Sequence, residues 1–452
     1  MMNRIAVIDV GKTNAKLALV DLADLSEIAV RTRPNRVLQT APYPQYDLEG
    51  HWRFFCEGLR EFQRDYGIDG ISVTTHGAAA TLIGHDGKAL PMLDYEHPGP
   101  DALADVYDAI RPDFAETGSP RLPMGLNLGA QLHWQFASDP SLRERVKHIV
   151  TYPQYWGHRL TGELACDLCS LGCHTDLWLP QKAQLSELVD HLGIRKLLPP
   201  PRRPAEILGG ISSQAASETG LPKGLPVAVG IHDSNASLYP HLLARDDAFS
   251  VASTGTWVIM MAMRGAATQL DPARDTLINV NGLGEPVPSA RFMGGREFDM
   301  INQGWAGEVT EADREAVYAR SIMLLPAVEP SSGPFAGQKM RWTVEPKTEG
   351  QRMVALSNYL ALMTHTGLKM IGAKGPCVVE GPFARNADYL NMLATLCPDG
   401  VEPKTSATGT SIGAALLFGK TATTSPLAQG QLPDIRHSKY AREWNGRATS
   451  HA

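Results

Sequence analysis

The sequence predicts an α/β protein made of two similar halves, and three observations carry that prediction. IAVIDVGKTNAKLALVDL near the amino end reads as strand, turn, strand, and FSVASTGTWVIMMAMR repeats the scheme from Phe249. LPVAVGIHDSNASLYP gives a buried-looking strand that stops at Gly230, with His232, Asp233 and Ser234 at its carboxyl end. In α/β folds such strand ends face the crevice beyond the sheet and collect the chemistry.

The remaining elements follow in chain order. GISVTTHGAAATLIG is a strand entering a glycine-containing turn at His76 and Gly77, and 101–116 has helical character. Leu126 to Phe136 reads as a helix, followed by a longer helical region around VTYPQYWGHRLTG with Gly162 as its C-cap. LPPPRRP at 198–204 can be neither helix nor central strand. PCVVEGPFARNADYLNMLATLC reads as strand, glycine turn, helix, and TSATGTSIGAALLFGK as turn then helix. Beyond Lys420 the polar, proline- and glycine-containing sequence is expected to be a loosely held tail.

Composition bounds the function. A chain of 452 residues, 43% hydrophobic and 20% charged, can bury two or three cores, which excludes disordered, collagen-like and mini-protein classes. Forty-two basic against 48 acidic residues leave a formal charge of -6, with no general attraction for nucleic acid or anionic lipid. No stretch approaches the apolar length of a membrane span, and no secretory signal is recognisable, so the expected location is cytoplasmic. Six cysteines suit a reducing compartment. Cys166, Cys169, Cys173 and His174 in CDLCSLGCH have donors and spacing that zinc can use, but no second ligand pair follows. The competing reading is small residues in a packed segment.

The first hairpin tip offers polyphosphate donors: Gly11 permits close backbone approach, and Lys12, Thr13, Asn14 and Lys16 surround it. Asp9 beside it could hold hydrated Mg²⁺. An ordinary solvated hairpin is the alternative. GKT is not a Walker A loop, because that motif needs a glycine where Ala6 stands. The second tip, Ser253, Thr254, Gly255 and Thr256, supplies further hydroxyl and amide donors, so two such tips could clasp one triphosphate. Asp233 could then take the proton of a sugar hydroxyl as it attacks the terminal phosphorus, a contribution of about 10²- to 10⁴-fold. A helix N-cap or turn anchor is its competing role.

In order and spacing these segments resemble the FGGY carbohydrate kinases of the actin-like fold, from Ile5 to about Gly419. DVGKTNAK is similar to that family's first phosphate motif, GIHDSNAS to its catalytic-aspartate segment, STGTW to its second phosphate motif, VVEGPFARN to its adenosine segment and SATGTSIGAALL to its closing helix. Rhamnulokinase-like and fuculokinase-like members share the nearest likeness.

The resemblance implies two actin-like (ribonuclease H-like) domains, 1–236 and 237–452, flanking a deep interdomain cleft. It implies Asp233 as proton acceptor, Asp9 near the magnesium, and Lys12, Thr13, Asn14, Ala15, Lys16, Thr254, Gly255 and Thr256 on the ATP phosphates. Gln303, Gly381 and Asn386 would meet the nucleotide, while His76, Gly77, His232, Asp233 and Ser234 would line the sugar. ATP and Mg²⁺ are the implied cofactors and a ketose or deoxy-ketose the implied acceptor. A homodimer is allowed for, and neither nucleic acid nor membrane is an expected partner. A sugar- and nucleotide-binding sensor without turnover is the alternative. Three segments depart from the family pattern. Gly294, Gly295, Arg296 and Glu297 stand where an asparagine meets ATP, Gln154 replaces an aspartate, and EGP replaces a GGG-type run.

Overall fold

The computed structural model describes residues 2–404, 409–419 and 435–449. These divide into two compact units, each drawn from separate stretches of chain. The first holds residues 2–245, Ile278–Pro286 and 409–419, and the second holds Asp246–Leu277, 287–404 and 435–449.

The first unit is organised on seven strands: β1 (Arg4–Val10), β2 (Asn14–Asp21), β3 (Ser26–Pro34), β4 (Gly70–Thr75), β5 (Ile207–Gly210), β6 (Pro226–Ala228) and β7 (Ile231–His232). Their order is β5-β6-β4-β1-β2-β3, with β7 also on β4. β1 runs antiparallel to β2 and parallel to β4, and β6 and β7 are both parallel to β4. The expected hairpin is thus the middle of the sheet. Ile5, Ala6, Val7 and Ile8 are all fully buried, as a strand covered on both faces requires. Helices Leu48–Asp65 and Tyr152–Thr161 bring Phe55, Leu59, Tyr155 and Trp156 into the same core.

The second unit repeats the plan. β8 (Phe249–Thr254), β9 (Val258–Met263), β10 (Pro286–Phe292), β11 (Cys377–Glu380) and β12 (Val401–Lys404) run in the order β10-β9-β8-β11-β12 within a six-stranded sheet. β8 pairs antiparallel with β9 and parallel with β11, as β1 does with β2 and β4. The 22-residue helix Glu349–Met370 fills the core with Leu356, Leu360 and Met363. No described helix is long and apolar enough to cross a membrane.

Several elements differ from the sequence reading. The helical character at 101–116 resolves into a 3₁₀ turn at Gly99–Leu103 and short helices at Ala104–Asp108 and Phe114–Thr117. Pro112 interrupts any continuous helix there, by withholding a donor and disfavouring helical geometry at Arg111. The region around VTYPQYW begins as a strand, Val146–Thr151, and becomes helical only at Tyr152–Thr161, with Pro153 in the first turn and Gly162 closing it at φ 85°. Within LPPPRRP, Pro201–Arg202 makes a two-residue parallel pairing with Cys166–Asp167.

The tail expectation also needs correction. Residues 420–434 lie outside the described residues, but Ile435–Thr449 is a helix that buries Tyr440, Trp444 and Ala448. The Trp444 indole N–H donates to the Leu324 carbonyl at 2.7 Å, and its ring meets Phe335 edge-on. Its sparse apolar residues fall on one face, a spacing that average polarity concealed. Trp444→Ala should destabilise the second unit by about 3–5 kcal/mol. Calorimetric melting tests this, and a wild-type transition would show that the helix is dispensable.

Candidate active site

Parallel pairing brings three strand ends of the first unit to one sheet edge. Asp9 lies beside Thr74 and Val10 beside Thr75, while His232 lies beside Thr75 from the other flank. The residues that follow, the 11–14 tip, His76–Gly77 and Asp233–Ser234, therefore leave β1, β4 and β7 together. The step from β6 to β7 needs Gly230 at φ 95°, where a Cβ would come within 2.8 Å of the Val73 carbonyl oxygen. Gln154 braces that step. Its fully buried amide donates to the Val229 carbonyl at 2.9 Å and pairs with the Thr151 hydroxyl, which gives this departure from the family pattern a structural task.

Asp233 opens helix Asp233–Ala244, and His232 takes the N-cap position, so the capping role proposed for Asp233 does not apply. Its Oδ1 accepts the Ser234 backbone N–H at 2.6 Å and the Ser234 hydroxyl at 3.3 Å, and lies 3.2 Å from His232 Nε2. All of these fall on one oxygen. Oδ2 takes no protein hydrogen bond among the described residues.

His76 is ringed by Tyr46, Tyr95 and Tyr152, with centroids 5.2, 5.3 and 5.2 Å away. Burial lowers its pKa against opposing contributions from the Gly77 carbonyl and Asp233, so the imidazole is neutral near pH 7. Nδ1 is 2.9 Å from the Gly77 carbonyl and must carry the proton. Nε2 is left as a buried acceptor without a protein partner. Such an atom costs stability until a donor reaches it, and a sugar hydroxyl is a donor of the right kind.

Asp9 is a buried carboxylate whose pKa is raised by burial and further by Asp233 and Glu27, against the Thr410 hydroxyl and Lys16. Thr410 donates to Oδ2, and the Lys16 ammonium lies 3.8 Å away while pairing more closely with Glu27. The negative charge is thus incompletely compensated within the protein. Asp9 fits a hydrated magnesium ion, which asks for one or two carboxylates and otherwise water and phosphate oxygens. Thr410 reaches it because Gly413 lets two helices touch: a Cβ there would sit 1.7 Å from the Ala236 carbonyl oxygen.

The first tip is braced by Asn35, which donates from its backbone to the Thr13 carbonyl and from its side chain to the Gly11 carbonyl, both at 2.8 Å. Thr13 and Asn14 are exposed, whereas the Ala15 side chain is buried, leaving only its backbone to meet a ligand. Lys12 is not an unattached donor. Its ammonium pairs with Asp94 and with Glu96 at 3.1 Å and lies 4.5 Å from the Tyr95 ring centroid. The sequence reading missed Asp94, Tyr95 and Thr410, because no motif marks a loop residue whose partner is 82 positions away, as Asp94 is from Lys12.

In the second unit Thr254 is a strut. Its hydroxyl donates to the Glu380 carbonyl and accepts the Phe383 N–H at 3.1 Å. Gly381, at φ 83°, leaves room for the Thr254 carbonyl oxygen, which a Cβ would approach to 1.9 Å. Thr256 is exposed and Gly255 partly so. Gly295 donates to the Thr256 carbonyl at 3.2 Å, and a Cβ on it would lie 2.1 Å from the Gly255 carbonyl oxygen. The Gly294–Gly295 departure therefore seats the second tip. Glu297 points into the core, where burial raises its pKa to about 7 against hydrogen bonds from Glu329 and Tyr359. Gln303 is exposed at the end of helix Gly294–Asn302, and Asn386 caps helix Ala387–Leu396 while donating to Ser357. Cys166, Cys169 and Cys173 are buried, and no three His, Cys, Asp or Glu side chains among the described residues are placed to share a metal.

Two outcomes follow. An acid whose pKa is raised by folding costs stability above that raised value and nothing below its unfolded pKa, so Asp9→Asn should raise the metal-free melting temperature at pH 7 to 8, with the gain shrinking as pH falls through the carboxylate range. Melting curves across pH check this, and a pH-independent difference would contradict it. Gly295→Ala should displace the second tip and destabilise the second unit by about 1–3 kcal/mol, because the added Cβ would meet the Gly255 carbonyl oxygen. Calorimetric melting reads it, and a wild-type transition would show that the tip does not depend on this contact.

Comparison with known proteins agrees with this architecture. Residues 4–239 match the N-terminal domain of the FGGY family of carbohydrate kinases, and residues 246–426 match the carbohydrate kinase FGGY C-terminal domain. A carbohydrate kinase from Novosphingobium aromaticivorans superposes with a TM-score of 0.92 at 32% identity, covering 98% of this chain and 100% of that one. Xylulose kinase from Rhodospirillum rubrum shares the fold with a TM-score of 0.77 at 20% identity, covering 99% and 98%. L-Fuculokinase of Salmonella typhi is 26% identical over 269 residues, 58% of this chain and 57% of that protein. Rhamnulokinase of Pectobacterium carotovorum is 26% identical over 271 residues, 57% and 53%. The aligned region spans little more than half the length of these curated relatives. With both domains matched along most of its length, the chain belongs to the FGGY family of carbohydrate kinases.

Proposed function

We propose that the protein is an ATP-dependent kinase that phosphorylates a hydroxyl of an uncharged ketose, with a rhamnulose- or fuculose-like deoxy-ketose as the leading class. The observation that carries this reading is the division of labour on Asp233: Oδ1 is taken up by Ser234 and His232, and Oδ2 remains for a substrate proton. As the sugar oxygen attacks the γ-phosphorus, its proton passes to Oδ2 and ADP leaves. His76 Nε2 accepts a neighbouring hydroxyl and so orients the ring. Asp9 would hold Mg²⁺, whose chemistry is neutralisation of the charge on the phosphates. Thr13, Asn14, Lys16 and the backbone of the first tip are the first unit's phosphate donors in this reading.

Charge supports the choice of an uncharged acceptor. Lys12 lies 4.5 Å from the Tyr95 ring centroid, and Asp94 and Glu96 already neutralise it. An acidic sugar would meet the carboxylates of Asp233 and Glu96, while the charge of Lys12 is already committed. The named activities of the L-fuculokinase and rhamnulokinase relatives agree with a deoxy-ketose. The protein's location is proposed to be cytoplasmic.

Coupled ADP release with L-fuculose, L-rhamnulose, L-xylulose, glycerol and gluconate tests the class. Release with a ketose and none with gluconate is expected, whereas binding without ADP release would replace the kinase by a sensor. Asp233→Ala should lower kcat by about 10²- to 10⁴-fold while sparing ATP affinity. Undiminished turnover would remove the general base.

A further inference from the structure

The CDLCSLGCH segment does not build a metal cage, but it places one of its sulfurs against the proposed catalytic group. Cys173 Sγ lies 4.0 Å from His232 Nε2, the same nitrogen that lies 3.2 Å from Asp233 Oδ1. Gly77 lies beside the same nitrogen, where a Cβ would come within 2.7 Å of His232 Nε2, 3.1 Å of its Cδ2 and 3.5 Å of Cys173 Sγ. Asn235 Nδ2 closes the far end, 3.4 Å from His232 Nδ1. The ring is thus held at both nitrogens, all within the first unit.

We propose that Cys173 is a positioning residue for phosphoryl transfer: its sulfur takes the Nε2–H of His232 and, with Gly77 leaving room beside the same nitrogen, fixes the ring edge against Asp233 Oδ1 so that Oδ2 is left for the acceptor hydroxyl. The inference rests on the reading of Asp233 as the base. It gives Gly77 a specific reason to lack a side chain, and it gives the cysteine cluster a use that zinc does not.

The electrostatics agree with the geometry. Burial alone would raise the Cys173 thiol, but the imidazoles of His174 and His232 outweigh it and bring the pKa down to about 5. Burial likewise opposes a charged His232, yet Cys173 and Asp233, with Asp167 behind them, raise it to about 10. His76, neutral through burial, and Cys169, whose thiol burial pushes up, also face this cluster and add no competing charge, while Asp9 faces Asp233 from β1. Each group thus favours the charged form of the other, in keeping with a proton shared along the Nε2–Sγ contact. Each of the remaining cysteines is pushed upward, chiefly by burial, so a thiolate at neutral pH belongs to Cys173.

The test uses the full-length chain with Cys173→Ala, Cys173→Ser, His232→Asn, the Cys173→Ala/His232→Asn double variant and Asp233→Asn. Mg-ATP and L-fuculose, L-rhamnulose or L-xylulose serve as substrates. Cys173→Ala should lower kcat about tenfold with little change in either KM. Cys173→Ser, nearly isosteric, should recover part of that loss, and the double variant should be no slower than His232→Asn, because both residues act through one contact. A thiolate ultraviolet band should be present at neutral pH in wild type, absent in Cys173→Ala, and shifted to alkaline pH in His232→Asn. This readout needs no sugar. Wild-type kcat in Cys173→Ala beside a dead Asp233→Asn, losses that add in the double variant, or a thiolate indifferent to His232→Asn would each overturn the positioning role. Full turnover in Asp233→Asn would instead remove the base assignment on which it rests.

Discussion

The first unit depends on parallel hydrogen bonding of β4 with β1 on one side and with β6 and β7 on the other. Parallel neighbours finish at the same edge, so one choice of strand direction decides that Asp9, His76 and Asp233 emerge together although they are far apart in sequence. The apolar run of β1 is what commits the sheet to that arrangement. A strand whose Ile5, Ala6, Val7 and Ile8 are all fully buried can only be central, and a central β1 places Asp9 next to β4.

What the fold leaves unsatisfied at this edge then defines the chemistry. Most buried polar atoms nearby are occupied: Gln154 serves the break at Gly230, Asn35 the first tip, Thr254 the turn at Gly381. Among the groups left open at this edge, three have the chemistry of the reaction: the charge of Asp9, the Nε2 lone pair of His76 and the Oδ2 of Asp233. A cation, a hydroxyl and a transferable proton would complete them in turn. The same economy explains why Lys12, the most conspicuous cation of the first tip, is a weak candidate for gripping phosphate. Its charge is already committed to Asp94 and Glu96.

Much of this was legible in the sequence. The two hairpins, the strand ending at Gly230 and the helix after Asn386 announce themselves through local apolar alternation and glycine turns, which depend on neighbours in the chain. Residues whose roles arise from distant partners were not legible. Nothing near Cys173 signals a histidine 59 positions later, and nothing in SATGTSIGAALL says that Thr410 will meet Asp9. Helical composition at 101–116 misled because a single proline outweighed it, and the polar character of Ile435–Thr449 hid a narrow face that buries Trp444. The Gly294–Gly295 run, a departure from the family pattern, found its reason only in the turn that packs against it.

The account stands or falls on which carboxylate oxygen of Asp233 meets the acceptor. A crystal structure with a ketose substrate and a non-hydrolysable ATP analogue measures it directly. The account places the reacting hydroxyl within about 2.6–3.2 Å of Oδ2, with Oδ1 still held by Ser234 and His232. A hydroxyl seated on Oδ1, or an Asp233 turned away from the sugar altogether, would contradict it.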